Sequence, residues 1–216
     1  PKTLSECGDD YVNLGVSQTV ININILAIMA VETAEPVITF GLNGRTFLFL
    51  KSAVDELDLF FGRMKKLGIT VTAILLNASK LFNSTGEEAL LSKCVHPDYD
   101  DTYPHAFISA FSAKTIEGQI YYQAFVEFLA SRYAAENDDL SSLRGMIVSN
   151  EVDSQYIWGN AGRKTPEAYM EEYTEVLRLT ILSSRKYYAN MRVYISLDHM
   201  FNRTFDATEP LCFYKG

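Results

Sequence analysis

The sequence predicts an α/β fold with a parallel core sheet, and three observations support this prediction. Four short segments rich in β-branched and aliphatic residues alternate along the chain with long stretches of helical periodicity. Repeated strand–helix–strand units form right-handed crossovers, which make consecutive strands parallel. The 216 residues are 48% hydrophobic and 21% charged, which is enough apolar material for a sizeable core.

The first strand and a hairpin are predicted near the amino terminus. Residues 16–26 are rich in β-branched side chains and alternate apolar with polar residues, as a strand entering a core does. Residues 36–50 form two short apolar runs around Asn43-Gly44, which is a strong signal for a β-hairpin. We expect this inserted hairpin to decorate the fold rather than to build its core.

A helix and a second strand follow the hairpin. Ser52 can cap a helix over residues 53–67, and Gly68 is well placed to end it. Residues 69–76 are apolar nearly throughout, as in a strand whose two faces are both covered. Asn77 marks the end of this strand.

A long loop and a second helix come next. Residues 78–112 contain many turn-forming residues and predict an extended loop at the functional face, with a short helix near residues 87–92. Residues 116–136 carry apolar side chains at helical spacing and predict an amphipathic helix.

The remaining elements are a strand, a helix and a fourth strand. Residues 144–152 predict the third strand, and Thr165-Pro166 opens a helix that extends to about residue 188. Residues 192–197 predict the fourth strand. An open doubly wound sheet and an arc of a (β/α) barrel both fit this order. No glycine-rich phosphate loop follows any strand, which argues against nucleotide binding.

Polar residues lie at or near the carboxyl end of each predicted strand. Because the carboxyl ends of parallel strands meet at one edge of a sheet or barrel, these side chains are expected to share a polar mouth. For any single position, a loop residue that reaches water is the simpler interpretation. The residues at the strand ends are Asn22, Asn24, Asn77, Ser149, Asn150, Glu151, Asp198 and His199.

Glu151 has the most specific chemical interpretation. It comes just after the apolar run of Met146 to Val148, from which Ser149 and Asn150 separate it. Its carboxyl group would therefore lie at the rim of a low-dielectric core, where a raised pKa suits a general acid. Cleavage of a glycosidic bond needs such an acid together with an ionised carboxylate, and Asn150 could donate a hydrogen bond to a sugar hydroxyl. The alternative is a structural role for Glu151, as an N-cap or in a salt bridge.

Composition argues against several other classes of protein. A net charge of -8 disfavours binding to nucleic acid, and no apolar stretch approaches the roughly 20 residues of a membrane span. The three cysteines are widely spaced, so we expect free thiols rather than disulfides or a zinc site. A metal-dependent hydrolase built on Asp198 and His199 would need more ligands, and His96 and His105 lie in the long loop. We expect neither a metal nor a cofactor.

Five stretches of the sequence carry a family resemblance and together span nearly the whole chain. They are LGVSQTVININI, SAVDELDLFFGRMKKLGITVTAILLN, AFSAKTIEGQIYYQAFVEFLASRYA, IVSNEVDSQYIWGNAG and RVYISLDHMFN. The most specific parts are the pair Asn150-Glu151, the tripeptide from Trp158 to Asn160, and SLDH at the end of the fourth strand. On these residues the chain resembles DUF5722, a bacterial family of TIM-barrel proteins similar to clan A glycoside hydrolases.

The resemblance implies roles for the polar residues at the strand ends. In clan A barrels an Asn-Glu pair at the end of the fourth strand supplies the acid/base, which falls here on Asn150 and Glu151. Trp158 is expected either to stack on a sugar ring or to cap the core beside a loop. Asp198 could serve as the second carboxylate, orient His199 or bind a sugar hydroxyl. Sugar binding is preferred, because the family places its nucleophile at the end of the seventh strand. The substrate-binding residues are Asn22, Asn24, Asn77, Trp158, Asp198 and His199.

The resemblance also implies a fold, a partial (β/α)8 TIM barrel with parallel core strands, outer helices and the inserted β-hairpin. Four core strands can be recognised in the sequence, whereas a closed barrel has eight strands and typically needs about 250 residues. We therefore expect a single domain over residues 1–216 that is incomplete, with its C-terminal strands missing. The open edges of such a sheet invite self-association.

The implied function is retaining hydrolysis of a glycosidic bond in a poly- or oligosaccharide, with Glu151 as acid/base. We expect this glycosidase activity of the full-length protein, with a carbohydrate as its partner. The alternative is a non-catalytic carbohydrate-binding barrel that kept the polar mouth. A secreted or cell-surface location in bacteria is the expectation.

Overall fold

The computed structural model describes residues 8–79, 88–136 and 139–199. The first half of the chain contains α1 (Gly8–Asn13), β1 (Gln18–Asn24), α2 (Ile25–Ile28), β2 (Met29–Ala30), β3 (Val37–Leu42), β4 (Arg45–Leu50), α3 (Lys51–Lys66) and β5 (Thr70–Leu76). The second half contains α4 (Glu88–Cys94), α5 (Ile116–Tyr133), β6 (Leu143–Val148), a 3-10 turn (Val152–Ser154), α6 (Gln155–Trp158), α7 (Pro166–Arg185) and β7 (Arg192–Tyr194).

Four strands form one sheet in the order β1-β5-β6-β7, and every neighbouring pair is parallel. The predicted α/β class with a parallel core sheet is therefore confirmed. Because β6 lies between β5 and β7, its carboxyl end is inside the sheet rather than at a margin. Within the described ranges the sheet is open, so the barrel itself stays a prediction.

The two faces of the sheet differ in burial. Val71, Ala73 and Leu75 of β5 are fully buried in the main core, which also contains side chains of α3 and α5. The opposite face is more open, since Val20 of β1 is 59% exposed and Tyr194 of β7 is 41% exposed. On β5 itself, Thr72 and Ile74 of this face are partly exposed, so the expectation that residues 69–76 are covered on both faces holds only in part.

The inserted hairpin is confirmed, but its predicted role was wrong. β3 and β4 pair antiparallel across a turn in which Asn43 and Gly44 both have positive φ, the geometry that Asn-Gly favours. Phe49 of β4 is completely buried, and its ring stacks on Phe128 of α5 at 3.7 Å. The hairpin thus builds part of the core, because one face of β4 carries aromatic rings that bury apolar surface against α5.

The helix ends follow the sequence signals only in part. Thr165 caps α7 as predicted, since its side chain accepts a hydrogen bond from the backbone N–H of Ala168. Gly68 adopts the predicted positive φ just after α3. However, α3 begins at Lys51 without a side-chain cap, so the prediction that Ser52 caps it was wrong.

Further details concern the long loop and the cysteines. The short helix predicted near residues 87–92 is α4. In the loop after it, Val95 pairs with Phe111 and Ser109 pairs with Asn160, each in an isolated β-bridge. Cys94 is a buried free thiol, whereas Cys7 and Cys212 lie outside the described residues. Among the described helices, none has the length and apolar character needed to cross a bilayer.

Candidate active site

Glu151 lies three residues beyond the end of the central strand β6. Ser149 extends the pairing of this strand, because its N–H donates to the Leu75 carbonyl at 3.0 Å. Ser149 and Glu151 then adopt left-handed backbone conformations, with φ of 60° and 44°. Non-glycine residues in this region cost roughly 1–3 kcal/mol each and concentrate at functional sites. The local backbone therefore favours a functional role for this segment.

The environment of Glu151 favours the protonated carboxyl group. Burial is the main cause that raises the pKa of Glu151 above its ordinary value, and the negative charge of Asp198 raises it further. His199 acts in the opposite direction with a smaller effect. The direction of this shift is the one expected from the sequence.

Asp198 follows β7 and is almost completely buried. Its Oδ2 accepts a hydrogen bond from Ser154 Oγ at 3.1 Å, and its backbone N–H donates to Asp153 Oδ1 at 2.8 Å. His199 Nδ1 lies 2.7 Å from Asp198 Oδ1, while the His199 side chain is 73% exposed. These contacts fix the carboxylate of Asp198 next to the segment that carries Glu151.

Ser196 connects the ends of β6 and β7. Its hydroxyl donates to Asn150 Oδ1 at 3.3 Å and accepts from the Glu151 N–H at 3.4 Å, and its carbonyl accepts from the Val152 N–H at 3.1 Å. The side chain of Asn150 is thereby oriented from the neighbouring strand. Sequence reasoning missed Ser196, Ser154 and Asp153, because their roles depend on how the two strand ends meet.

The three asparagines predicted to bind substrate have different surroundings. Asn24 is 7% exposed and exchanges hydrogen bonds with Ala78, through its Oδ1 at 2.9 Å and its Nδ2 at 3.5 Å. Asn77 is fully buried, and its Nδ2 donates to the carbonyls of Cys94 at 2.7 Å and Ala110 at 3.1 Å. Asn22 is exposed on the open face of the sheet. Asn24 and Asn77 thus hold the loop that follows β5.

Trp158 lies over the carboxyl end of β5. Together with Phe107 and Ile74 it packs, partly buried, against a small apolar cluster of Leu76, Ala78 and Ile108. One part of the indole therefore covers the core, as one of the two predicted roles requires. The partial exposure of Trp158 leaves ring surface open near the end of the sheet.

A network of charged side chains links the loop that follows β5 to α7. His96 is buried, its Nδ1 accepts from the Asp98 N–H at 3.1 Å, and its Nε2 lies 3.2 Å from Glu172 Oε2. The Lys114 ammonium lies 2.9 Å from Asp98 and 2.7 Å from Glu172, and Lys164 contacts the same two carboxylates. Burial is the main cause that lowers the pKa of His96.

Two groups of described residues bring three metal-ligand atoms within 4.8 Å of one another. In the group of His96, Asp98 and Glu172, the ammonium groups of two lysines, Lys114 and Lys164, already neutralise the carboxylates, which disfavours a further cation. The other group surrounds Glu151, where a cation would compete with protonation of the carboxyl group. The groups are His96, Asp98 and Glu172, and Glu151, Asp198 and His199.

Fold and site together define an α/β protein whose parallel sheet carries a carboxyl group with a raised pKa at the end of a central strand. Residues 3–214 match the family described as "Family of unknown function (DUF5722)", and the chain belongs to this family. No curated protein matches the sequence.

The fold is also similar to that of a solved enzyme. The monomer structure of a hyperthermophilic beta-glucosidase mutant, which forms a dodecameric structure in the crystal, matches with a TM-score of 0.52 at 12% sequence identity. The match covers 94% of this chain and 48% of that chain, so the chain spans about half the length of the beta-glucosidase. At this identity the similarity concerns the fold alone.

Proposed function

We propose that this chain supplies the acid/base of a glycoside hydrolase, and that Glu151 is that residue. The observation that carries the proposal is the position of Glu151, beyond the end of a central parallel strand and half-buried beside the buried carboxylate of Asp198. A carboxyl group with a raised pKa remains protonated at higher pH and can protonate the leaving oxygen of a glycoside. The fold similarity to a beta-glucosidase supports the same reaction class.

The proposed steps follow the chemistry of retaining hydrolysis. Glu151 donates its proton to the glycosidic oxygen as the bond to the leaving sugar breaks, and a second carboxylate forms a covalent bond to the sugar. Glu151, now ionised, then removes a proton from the water that hydrolyses this intermediate. Asn150, held by Ser196, is placed to orient a sugar hydroxyl or the acid itself.

Asp198 is less suited to act as the nucleophile. It is 2% exposed, and its two carboxylate oxygens contact Ser154 and His199. We propose that Asp198 instead raises the pKa of Glu151 and orients His199 toward the substrate. The nucleophile is proposed to come from another strand end of the complete barrel, as the family resemblance implies.

We further propose that the sheet is an arc of a (β/α)8 barrel and that residues 1–216 belong to one such domain. Exposed apolar side chains on the open face, such as Val20 and Tyr194, are consistent with a surface that further strands cover. Pairing of the outer edges of β1 and β7 with another chain is the alternative that gives self-association.

Release of reducing sugar by the full-length protein tests the proposed activity. We expect hydrolysis of short β-glucosides and gluco-oligosaccharides, and Glu151→Gln should lower kcat by about 10²–10⁴-fold, the usual contribution of a general acid/base. Glu171→Gln is the matched control, because Glu171 is exposed on α7. Unchanged kcat in Glu151→Gln would reject the assignment, and sugar binding without hydrolysis would favour a non-catalytic carbohydrate-binding protein.

A further inference from the structure

A row of aromatic side chains extends from the carboxyl end of the sheet along the loop that follows β5. We call it the aromatic ladder, and its members are Tyr156, Tyr103, His105, Phe107 and Trp158. The ring centroids of the first four are separated by 4.7, 5.7 and 6.1 Å in that order. Phe107 and Trp158 pack against the same small apolar cluster at the end of β5.

The loop backbone beneath the ladder is held by hydrogen bonds. The Ala106 N–H donates to the Tyr103 carbonyl at 3.1 Å, and Tyr99 Oη donates to the Ala106 carbonyl at 2.6 Å. Ala106 is fully buried, whereas His105 is exposed and Tyr103 and Phe107 are half-buried. Tyr156 is buried, so the ring surface that reaches solvent comes from His105 and, in part, from Tyr103, Phe107 and Trp158.

Polar groups border the outer end of the ladder. Asp100 accepts hydrogen bonds from Tyr156 Oη and, at 2.5 Å, from Thr102 Oγ1. The Arg163 guanidinium lies 6.0 Å from the centre of the Tyr156 ring, and Asp101 is exposed beside Asp100. Carboxylates and a guanidinium thus lie at the edge of an aromatic surface.

This combination matches the chemistry of a sugar chain. The C–H faces of a pyranose ring are apolar and pack on aromatic rings, while its equatorial hydroxyls hydrogen-bond to polar groups at the edge. The Tyr103, His105 and Phe107 rings lie 5.7 and 6.1 Å apart and are inclined to one another by 76° and 67°, so exposed faces and edges in turn offer contacts to successive sugar units. A single sugar reaches only a part of this surface.

The inner end of the ladder lies at the strand pair that also carries the proposed acid. Trp158 follows Glu151 by seven residues, separated from it by the 3-10 turn and α6. The Ile74 side chain beside Trp158 belongs to β5, and Ile74 is the register partner of Ile147 in β6. The ladder therefore leads outward from the strand pair at whose end Glu151 lies.

We infer that the aromatic ladder binds a linear oligosaccharide and holds the sugar units beyond the one that reacts at Glu151. The inference rests on the proposed function, since it takes the substrate to be a carbohydrate. It names the substrate class more closely, as a chain of several sugar units rather than a disaccharide. β-Glucosides are chosen as the probe because the similar fold is that of a beta-glucosidase.

Titration calorimetry with cellobiose and cellohexaose tests this site. The measurement uses the full-length protein carrying Glu151→Gln, which prevents turnover. We expect cellohexaose to bind at least about tenfold more tightly than cellobiose, since one further contact of about 1.4 kcal/mol gives this factor. Phe107→Ala and His105→Ala should each weaken cellohexaose binding severalfold and change cellobiose binding less than about twofold. His105 is exposed, so its variant tests the site without disturbing the core.

Tyr11→Ala is the matched control, because Tyr11 is a half-exposed aromatic residue before the amino end of β1. Equal affinities for the two sugars, or unchanged cellohexaose affinity in both ladder variants, would overturn the inference. Ladder-dependent binding by a protein that hydrolyses no glycoside would support the inference and reject the proposed hydrolase. Hydrolysis of short glucosides that depends on Glu151, with no effect of the ladder variants on cellohexaose affinity, would support the proposed hydrolase and overturn the inference.

Discussion

A carboxylate oxygen of Glu151 lies within 4.8 Å of one of Asp198, at the adjoining ends of β6 and β7. Asp198 is 2% exposed and is held by Ser154, whereas Glu151 is only half-buried. Two carboxyl groups this close disfavour simultaneous ionisation. Asp198 accepts a hydrogen bond from Ser154 and has almost no surface open to a ligand, so Glu151 is the group that can transfer a proton to one.

Removing the charge of Asp198 should lower the pKa of Glu151. In Asp198→Asn the repulsion disappears but the burial remains, so we expect the pKa to fall and to stay above the ordinary value for a glutamate. A ¹³C NMR titration of the Glu151 carboxyl carbon measures this shift. Asp55→Asn on the surface of α3 should leave it unchanged. A pKa that rises or stays constant in Asp198→Asn would contradict the proposed coupling.

Loss of the Phe49 ring should destabilise the protein strongly. Phe49 is completely buried and stacks on Phe128, so Phe49→Ala should cost about 3–5 kcal/mol in the free energy of unfolding. Thr46→Ala in the same strand removes an exposed side chain and should change it by less than about 0.5 kcal/mol. Urea denaturation measures both values. A similar small effect of the two substitutions would show that the hairpin is decoration after all.

The buried His96 should make the protein less stable as the pH falls below about 6.5. Its pKa is lowered in the folded state, so the unfolded chain binds the proton first and stability is lost as the pH decreases from there. The effect amounts to at most about 1.4 kcal/mol per pH unit. Thermal unfolding between pH 5 and 7 should show this slope in the native protein and a smaller slope in His96→Gln.

The neighbouring carboxyl group of Asp98 does not contribute to the pH dependence within the range of that test. Asp98 has a pKa lowered to about 2 by hydrogen bonds from Lys164 and Lys114, so its own contribution is lost only at lower pH. His105→Gln is the control, because His105 is exposed. A slope that persists in His96→Gln, or that disappears in His105→Gln, would assign the effect elsewhere.

Chelation should leave the proposed activity unchanged. A divalent cation bound by Glu151, Asp198 and His199 would hold the Glu151 carboxyl group in its ionised form and prevent proton donation. Hydrolysis rates before and after dialysis against EDTA should therefore agree. Activity that is lost with EDTA and restored by Mn²⁺ or Zn²⁺ would indicate a metal-dependent hydrolase instead.

The parallel sheet and the strand-end polar residues could be predicted because both depend on local patterns. Runs of aliphatic residues followed by Asn77 or Asn150-Glu151 show where the strands end and where polar groups collect. The direction of the pKa shift of Glu151 could be predicted from its place just beyond the apolar run of Met146 to Val148, although the contribution of Asp198 could not. Such inferences need only the spacing along one segment of the chain.

The features of the fold and of the site that could not be predicted depend on contacts between segments that are distant in sequence. Phe49 meets Phe128 across 79 residues, and Ser196 bonds to Asn150 across 46, so neither contact leaves a local signal. Asn24 shares the strand-end pattern of the other polar residues, yet its side chain exchanges hydrogen bonds with the backbone of Ala78. Alternation of Tyr103, His105 and Phe107 was a visible signal for the aromatic ladder that sequence reasoning did not use.

The dependence of hydrolysis on the leaving group tests the role of Glu151 most directly. A 2,4-dinitrophenolate leaves without protonation, whereas an alkoxide needs the proton of a general acid. With the full-length protein, Glu151→Gln should reduce kcat/KM by about 10²–10⁴-fold for a glycoside whose leaving group is methanol or a sugar. For the dinitrophenyl glycoside of the same sugar the reduction should be far smaller. An equal loss for both kinds of substrate, or no loss for either, would contradict proton donation by Glu151.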